Sequence, residues 1–230
     1  MDTQEIDRMT KRACRNTIGD AVRRSAARNP DKDALIFGGW RWSYAELDAG
    51  ANRVANALLI QGLEKGDRVA VGYGMNSDAY VLLWLGCVRA GLVHVSVNFH
   101  LTGDDLLYIL NQSGTKTLFY DPQLEANVEE VRDEAGATIQ GTLYDGDGLD
   151  VVSLARSGDD ASEPEVDLDE EDVAQVLYTS GTISAPKSAV LTHRALLAEY
   201  VSCIEALEFR YDDRVLHSFP LYHSAQCTFS

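Results

Sequence analysis

Apolar positions recur at helical spacing in some stretches of the chain and run together in short, strand-like groups in others. In Thr17–Asn29 they recur at helical spacing up to a proline, which predicts an amphipathic helix. The next two apolar groups flank Gly38 and Gly39, a pair suited to the positive φ angles of a two-residue hairpin turn. Ser43 and Glu46 then have capping-box spacing, which predicts that a second helix begins there.

Farther along the chain, predicted strands and helices alternate. The strands are Arg68–Gly72, Val93–Val97, Thr117–Tyr120 and Thr138–Leu143, and the helices between them are Asp78–Ala90, Asp104–Leu110 and Gln123–Ala135. A later block contains strand Ala174–Tyr178, a loop, helix Thr192–Leu207 and strand Arg214–Pro220. This alternation predicts an α/β fold with a mainly parallel sheet flanked by helices.

The stretch 146–172 interrupts this order. It is rich in Asp, Glu, Gly and Ser, contains Pro164 and has little apolar periodicity, which is typical of a solvated linker. We therefore predict four parts: a polar leader (1–16), a first α/β subdomain (17–145), an acidic connector (146–172) and the start of a second, incomplete α/β subdomain (173–230).

Composition narrows the possible partners. The 230 residues carry a net charge of −16, which repels nucleic-acid backbones and favours small molecules as partners. The acid excess also predicts adaptation to high salt, where screening relieves self-repulsion. The four cysteines form no CxxC pair, which argues against a disulfide framework. No apolar run approaches the roughly 18 residues of a membrane helix, so no membrane span and a cytoplasmic location are expected.

The candidate chemistry lies in the loop Leu177–Ser188. The loop follows an apolar strand and contains several hydroxyl side chains, Gly181 and Lys187. Backbone N–H groups in a turn, hydroxyl donors and a lysine together suit phosphate binding. Loops of this composition also occur as plain turns, so the composition leaves both interpretations open.

A Walker-type phosphate loop is one alternative for this segment. Gly181–Ser188 has the spacing GxxxxGK[ST], but Pro186 stands where the second Gly is required. Proline has no N–H to donate to a phosphate and fixes φ where the backbone must bend freely. The substitution argues against a P-loop NTPase.

The order of residues instead resembles the acyl-adenylate-forming superfamily, the AMP-dependent synthetases and ligases. Its phosphate loop is similar to YTSGTTGxPKGV followed by LTH, and this chain has Tyr178–Thr182, Pro186-Lys187 and Leu191–His193 in that order. A second family motif, PLFHxA, resembles Pro220–Ala225. The resemblance extends from about Thr17 to the end and is strongest for the fatty-acid branch of acyl-CoA synthetases.

The resemblance implies a reaction and its participants. A carboxylic acid such as a fatty acid would attack ATP to give acyl-AMP and pyrophosphate, and coenzyme A would then accept the acyl group. Family roles carried over place Thr179, Ser180, Gly181, Thr182 and Lys187 on the triphosphate. Thr179 and Thr182 would also lie near Mg²⁺, and Lys187 and His223 are the candidate catalytic residues, with His223 near the acyl-adenylate.

Two departures from the family pattern affect the expected activity. Ile183 and Ser184 replace a Thr and a Gly, and Ser188 replaces the Gly after the lysine, so we expect a strained loop and weakened ATP binding. Family members are also more than twice as long. The resemblance therefore implies an N-terminal portion that is not active alone: a truncated product, a fragment, or one piece of a split enzyme with a complementing C-terminal polypeptide. The alternative is a non-catalytic remnant or interaction module that keeps the fold. Exposed apolar surface and unpaired strand edges predict self-association.

Overall fold

A computed structural model gives the structure of residues 2–146, 148–179 and 186–223. Its helices are α1 (Thr3–Cys14), α2 (Ile18–Arg28), α3 (Tyr44–Ile60), α4 (Asp78–Arg89), α5 (Gly103–Ser113), α6 (Glu125–Val131), α7 (Val151–Ser157) and α8 (His193–Ala206). Its strands are β1 (Asp33–Phe37), β2 (Trp40–Ser43), β3 (Arg68–Tyr73), β4 (Val93–Ser96), β5 (Thr115–Tyr120), β6 (Ile139–Thr142), β7 (Val173–Thr179) and β8 (Lys187–Thr192). A single 3₁₀ turn, Pro122–Leu124, precedes α6.

Six strands form one sheet in the order β6-β5-β3-β4-β7-β8. The first five are parallel to their neighbours, and β8 alone runs antiparallel, beside β7. The predicted α/β class with a mainly parallel sheet flanked by helices is confirmed. Because the five strands are parallel, their carboxyl ends share one edge of the sheet.

Helices cover both faces of the sheet at β3, so this central strand is apolar on both sides. In β3, Val69 and Val71 belong to a core formed with α3 and α4, whereas Ala70 faces a second core formed with α5 and α6. This explains why β3 is a continuous apolar run rather than an alternating one. Helices α3 and α4 approach closely, since a Cβ on Gly86 would lie 2.6 Å from Val54 Cγ1.

The local predictions for the first part of the chain are confirmed. Strands β1 and β2 form an antiparallel hairpin whose turn residues Gly38 and Gly39 have φ angles of 56° and 90°. Ser43 and Glu46 form a reciprocal capping box at the start of α3. Thr17 and Asp20 form another at the start of α2.

Other predictions of local structure need correction. The stretch Arg214–Pro220 is not a strand, and among the described residues no strand lies beside it to complete its backbone hydrogen bonds. The polar leader contains α1, and the stretch predicted as a solvated connector contains α7. Strand β8 occupies what the sequence pattern suggested was loop.

The acidic connector is fastened to the rest of the fold. In α7, Val151 and Ala155 are fully buried. The side chain of Asn56 donates hydrogen bonds of 3.1 and 3.0 Å to the carbonyl oxygens of Asp160 and Ser162. After the connector, β7 joins the same sheet as β4. The division into subdomains at 146–172 stays a prediction.

Candidate functional site

The predicted phosphate loop connects the two strands of a β-hairpin. Strand β7 ends at Thr179 and β8 begins at Lys187, and the Cα atoms of these two residues are cross-strand partners. The candidate residues Ser180, Gly181 and Thr182 lie outside the described residues, as does the side chain of Thr179. The structure therefore brings Lys187 to the carboxyl end of β7, beside the base of the loop.

This topology argues against the Walker-type alternative. A Walker loop leads directly into a helix whose N-terminal N–H groups face the phosphates. Here Lys187 opens an antiparallel strand, and α8 begins only at His193. The lysine is thus presented from a strand beside the loop rather than from a helix.

The expected strain at Ser188 is absent. Ser188 lies in β8 opposite Tyr178, and among the described residues only Asp145 and Glu208 combine a side chain with positive φ. Any residue can adopt an extended φ, so a glycine is not needed at position 188. The departures at Ile183 and Ser184 lie outside the described residues, and their effect on ATP binding stays a prediction.

Helix α5 borders the base of the loop. The Tyr108 hydroxyl donates to the carbonyl oxygen of Pro186 at 3.4 Å, and the Tyr178 hydroxyl donates to the Gln112 side-chain oxygen. Burial raises the pKa of Tyr178, so its hydroxyl stays a neutral donor at physiological pH. The sequence pattern gave no signal for these tyrosine contacts, which depend on how α5 packs beside β7.

The second motif lies at the same edge of the sheet. Backbone groups of Phe219 and Leu221 hydrogen-bond to the side chain of Asn76, which lies in the loop after β3. The Tyr222 ring packs edge-to-face on Phe99, which follows β4, with 5.5 Å between ring centroids. Since β3, β4 and β7 are adjacent and parallel, their carboxyl ends bring the His223 segment and the Lys187 hairpin to one edge.

A buried polar cluster lies behind this edge, where β4 meets β7. His94 and Gln175 are neighbours in the strand register, and Gln175 Nε2 lies 3.2 Å from Ser96 Oγ. The Tyr80 hydroxyl lies 3.1 Å from the same Ser96 oxygen. Complete burial lowers the pKa of His94 to about 3, so its ring is neutral at physiological pH. The contacts of Gln175 could not be found from the sequence, because they join β7 to residues of β4 that lie 81 and 79 positions earlier in the chain.

No cluster of three or more potential metal-ligating His, Cys, Asp or Glu side chains occurs in the parts of the chain that the structure describes. In the same ranges, no helix has the length and apolar character needed to cross a membrane. Both proposed Mg²⁺ ligands, the hydroxyls of Thr179 and Thr182, belong to side chains outside this description.

A mainly parallel sheet with a lysine-bearing hairpin loop and a histidine segment at its carboxyl edge defines an open α/β protein, a class whose ligands bind at that edge. Comparison with known proteins narrows this class. Residues 22–230 match the family model described as AMP-binding enzyme. The chain belongs to this family and corresponds to the N-terminal part of its members.

Individual relatives agree with the family match. The chain is 33% identical over 213 residues to the long-chain-fatty-acid–CoA ligase FadD13 of Mycobacterium tuberculosis, covering 92% of this chain and 42% of that protein. It is 33% identical over 208 residues to a feruloyl-CoA synthase of an Amycolatopsis species, covering 90% of this chain and 40% of that one. The chain thus spans about two-fifths of the length of these curated relatives.

A solved structure shows the same fold. The inhibitor-bound crystal structure of the N-terminal domain of FACL13 from M. tuberculosis superposes with a TM-score of 0.85 at 31% identity. The match covers 93% of this chain but 53% of that domain. This chain therefore corresponds to about half of the N-terminal domain found in that relative.

Proposed function

We propose that this chain is the N-terminal portion of an ATP-dependent, AMP-forming acyl-CoA synthetase. The observation that carries the proposal is the meeting of the Lys187 hairpin and the His223 segment at one sheet edge, in a chain of the AMP-binding enzyme family. The two segments are separated in sequence and lie at the same edge of the sheet only through the strand order.

The reaction uses ATP and coenzyme A as co-substrates. An oxygen of the substrate carboxylate forms a bond to the α-phosphorus of ATP while the bond to pyrophosphate breaks, which gives the acyl-adenylate. The thiol of coenzyme A then displaces AMP and forms the thioester. In-line displacement at phosphorus depends mainly on positioning and charge neutralisation, which is chemistry that a loop and a lysine can supply.

Each motif residue has a role in this proposal. Lys187 neutralises charge on the transferring phosphate, and the loop residues Thr179, Ser180, Gly181 and Thr182 donate to the β- and γ-phosphates. The hydroxyls of Thr179 and Thr182 would hold the Mg²⁺ that accompanies the triphosphate, and the metal would supply further charge neutralisation. His223 lies near the acyl-adenylate. The carboxylic acid is a fatty acid, in line with the FadD13 relative, and the co-substrates fit the expected cytoplasmic location.

The chain alone does not complete the reaction in this proposal. A complementing polypeptide that carries the rest of the family domain packs on the outer edge of β8 and the exposed side of α8. In support, Val201 and Ile204 on α8 and Leu207 directly after it are at least half exposed, at 63%, 52% and 50%. Exposed apolar side chains beside an edge strand are typical of an interface.

The competing interpretation is a non-catalytic remnant or interaction module that keeps the fold. The same exposed side of α8 favours it, because an interface needs no bound nucleotide. The two interpretations differ in whether the loop still binds a triphosphate.

Calorimetric titration of Mg-ATP into the full 230-residue chain in high salt tests the proposal, with wild type, Lys187→Ala and Lys116→Ala compared. Lys116 lies near the amino end of β5, pairs with Asp67 and supplies a matched loss of one positive charge at the opposite edge of the sheet. A charge-assisted contact contributes about 1.5–3 kcal/mol, so Lys187→Ala should raise the dissociation constant roughly 10- to 100-fold.

The control decides how the result is interpreted. Binding that is weakened by Lys187→Ala and kept by Lys116→Ala supports phosphate binding by the hairpin loop. Equal loss in both variants would mean that only overall charge matters. Absence of Mg-ATP binding in the wild-type chain would favour the non-catalytic interpretation.

A further inference from the structure

The side chain of Asn76 binds two backbone groups of the His223 segment at once. Its Nδ2 donates to the carbonyl oxygen of Phe219 at 2.8 Å, and its Oδ1 accepts from the N–H of Leu221 at 2.7 Å. The carbonyl and the N–H belong to residues two apart in the chain. A neighbouring parallel β-strand residue would bind the same pair of groups, so the carboxamide substitutes for a strand that this segment does not have.

The Asn76 carboxamide supports the backbone of the segment Phe219–Leu221. Residues 213–218 have no regular structure, and Pro220 between the two bonded residues has no N–H to offer. Leu221 is 7% exposed, and losing a hydrogen-bond partner is destabilising for an N–H that is shielded from water. Asn76 therefore supplies two hydrogen bonds that hold the segment to the loop after β3.

Two further contacts connect the segment held by Asn76 to His223. The His223 N–H donates to the carbonyl oxygen of Pro220 at 3.0 Å, which closes a turn. The Tyr222 ring lies at 82° to the Phe99 ring. The segment is thus attached at the carboxyl ends of both β3 and β4, and His223 follows directly after its anchors.

We propose that Asn76 is a positioning residue for His223, acting through the backbone of Phe219 and Leu221. The inference rests on the proposed function, because the position of His223 affects the chemistry only if His223 lies near the acyl-adenylate. Asn76 itself touches no reacting group in this proposal. It fixes where the imidazole stands relative to the Lys187 hairpin.

The fold contains a natural control for this contact. Asn111 Nδ2 donates to the carbonyl oxygen of Glu134 at 3.2 Å, and the N–H of Gly136 donates to Asn111 Oδ1 at 2.9 Å. Here too an asparagine side chain binds a carbonyl oxygen and an N–H from residues two apart in the chain, at the turn before β6. Replacing Asn111 removes a comparable pair of hydrogen bonds and leaves the contacts of the His223 segment in place.

The test compares wild type, Asn76→Ala, Asn76→Asp and Asn111→Ala in the full chain. Hydrogen exchange is measured at the amides of Leu221 and Gly136, together with the NMR resonance of the His223 ring. Losing about 1.4 kcal/mol of protection corresponds to tenfold faster exchange. We expect Asn76→Ala to speed exchange at Leu221 about tenfold and to shift the His223 resonance. Asn111→Ala should speed exchange at Gly136 only.

Asn76→Asp keeps the acceptor for the Leu221 N–H and loses the donor to Phe219, so intermediate protection is expected. It also keeps the test decisive should Asn76→Ala fail to fold. Unchanged Leu221 exchange and an unchanged His223 resonance in the folded variants would overturn the proposal. A shift of His223 in Asn111→Ala as large as in Asn76→Ala would overturn it too, because the effect would then be general destabilisation.

A second titration separates this inference from the proposed function. An acyl-sulfamoyl adenosine, a stable mimic of an acyl-adenylate, is added while the His223 resonance is followed. We expect the resonance to move in wild type and to move less in Asn76→Ala. An equal response in both overturns the positioning role. No response in wild type contradicts the placement of His223 beside the acyl-adenylate and the role inferred from it, while the Leu221 exchange still reports whether Asn76 holds the segment.

Discussion

Two histidines, His94 and His193, are enclosed by the fold and are neutral there. His94 is completely buried at the join of β4 and β7, and His193 is 1% exposed at the start of α8. Burial lowers the pKa of His94 to about 3 and that of His193 to about 4, from an ordinary value near 6.5. In the unfolded chain both rings take up a proton near pH 6.5, whereas in the folded protein they do not.

The chain should therefore lose stability as the pH falls below about 6.5, well before its carboxylates titrate. Between pH 7.5 and pH 5 each buried histidine should lower the free energy of unfolding by about 1–2 kcal/mol. Urea unfolding at the two pH values measures the change. His94→Gln should reduce the pH dependence by about half, whatever its own stability at pH 7.5.

His100 provides the control for this measurement, because it is an exposed histidine on a loop. His100→Gln should keep the wild-type dependence on pH. If His94→Gln and His100→Gln show the same dependence as wild type, burial of His94 is not a source of acid sensitivity.

At the scale of elements, the N-terminal helices hold the acidic connector in place. Glu163 of the connector accepts hydrogen bonds from Arg15, at 2.8 Å, and from Arg12, and it lies 3.5 Å from Arg23 Nε. Arg15 also binds the fully buried Asp20 at 2.8 Å, at the capping box of α2. The Glu163 side chain is only 16% exposed, so these pairs are shielded from water more than ordinary surface pairs are.

Replacing Glu163 by Gln should lower the free energy of unfolding by about 1–3 kcal/mol and speed amide exchange across residues 158–168. The reason is that three arginines would lose a shared carboxylate that is partly removed from water. Urea unfolding and hydrogen exchange report the two effects. Asp159→Asn removes the same charge from an exposed position four residues away and should change either quantity little. Equal effects of the two variants would show that the connector is held by something other than these pairs.

At the scale of the whole molecule, the side formed by β8 and α8 is exposed to solvent. Strand β8 is an edge of the sheet, and residues 187–190 of it are exposed. The exposed apolar residues of α8 continue into the following stretch, where Leu216 is 85% exposed. In the relative of known structure, the N-terminal domain is about twice as long as the matched part.

Purified alone, the chain should self-associate in a concentration-dependent way through this exposed side. Ile204→Glu places a charge in the middle of it and should shift the population toward monomer. Ile60→Glu, a charge of the same kind at an exposed isoleucine at the end of α3, should not. Sedimentation velocity over a range of concentrations measures the distribution. A single monomeric species at every concentration, with one cooperative unfolding transition, would contradict the prediction.

Short-range sequence patterns were sufficient to predict much of the fold and part of the site. The hairpin at Gly38-Gly39 and the capping box at Ser43 depend on contacts within a few residues, so their spacing alone predicted them. The alternation of strands and helices likewise predicted a parallel sheet. The motif that holds Lys187 was recognisable because its residues are consecutive.

What the sequence determined by itself was therefore local structure, fold class and family membership. Only the tertiary structure decided that Lys187 opens a strand, that Ser188 needs no glycine-like backbone, and that Asn76 holds the segment before His223. Lys187 and Ser188 pair with β7 residues only eight and ten positions earlier, whereas the Asn76 contacts join residues 143 and 145 apart, which the order of strands in the sheet brings together. That order is set by packing on both faces of the sheet, and apolar periodicity shows which residues are buried but not which strands become neighbours.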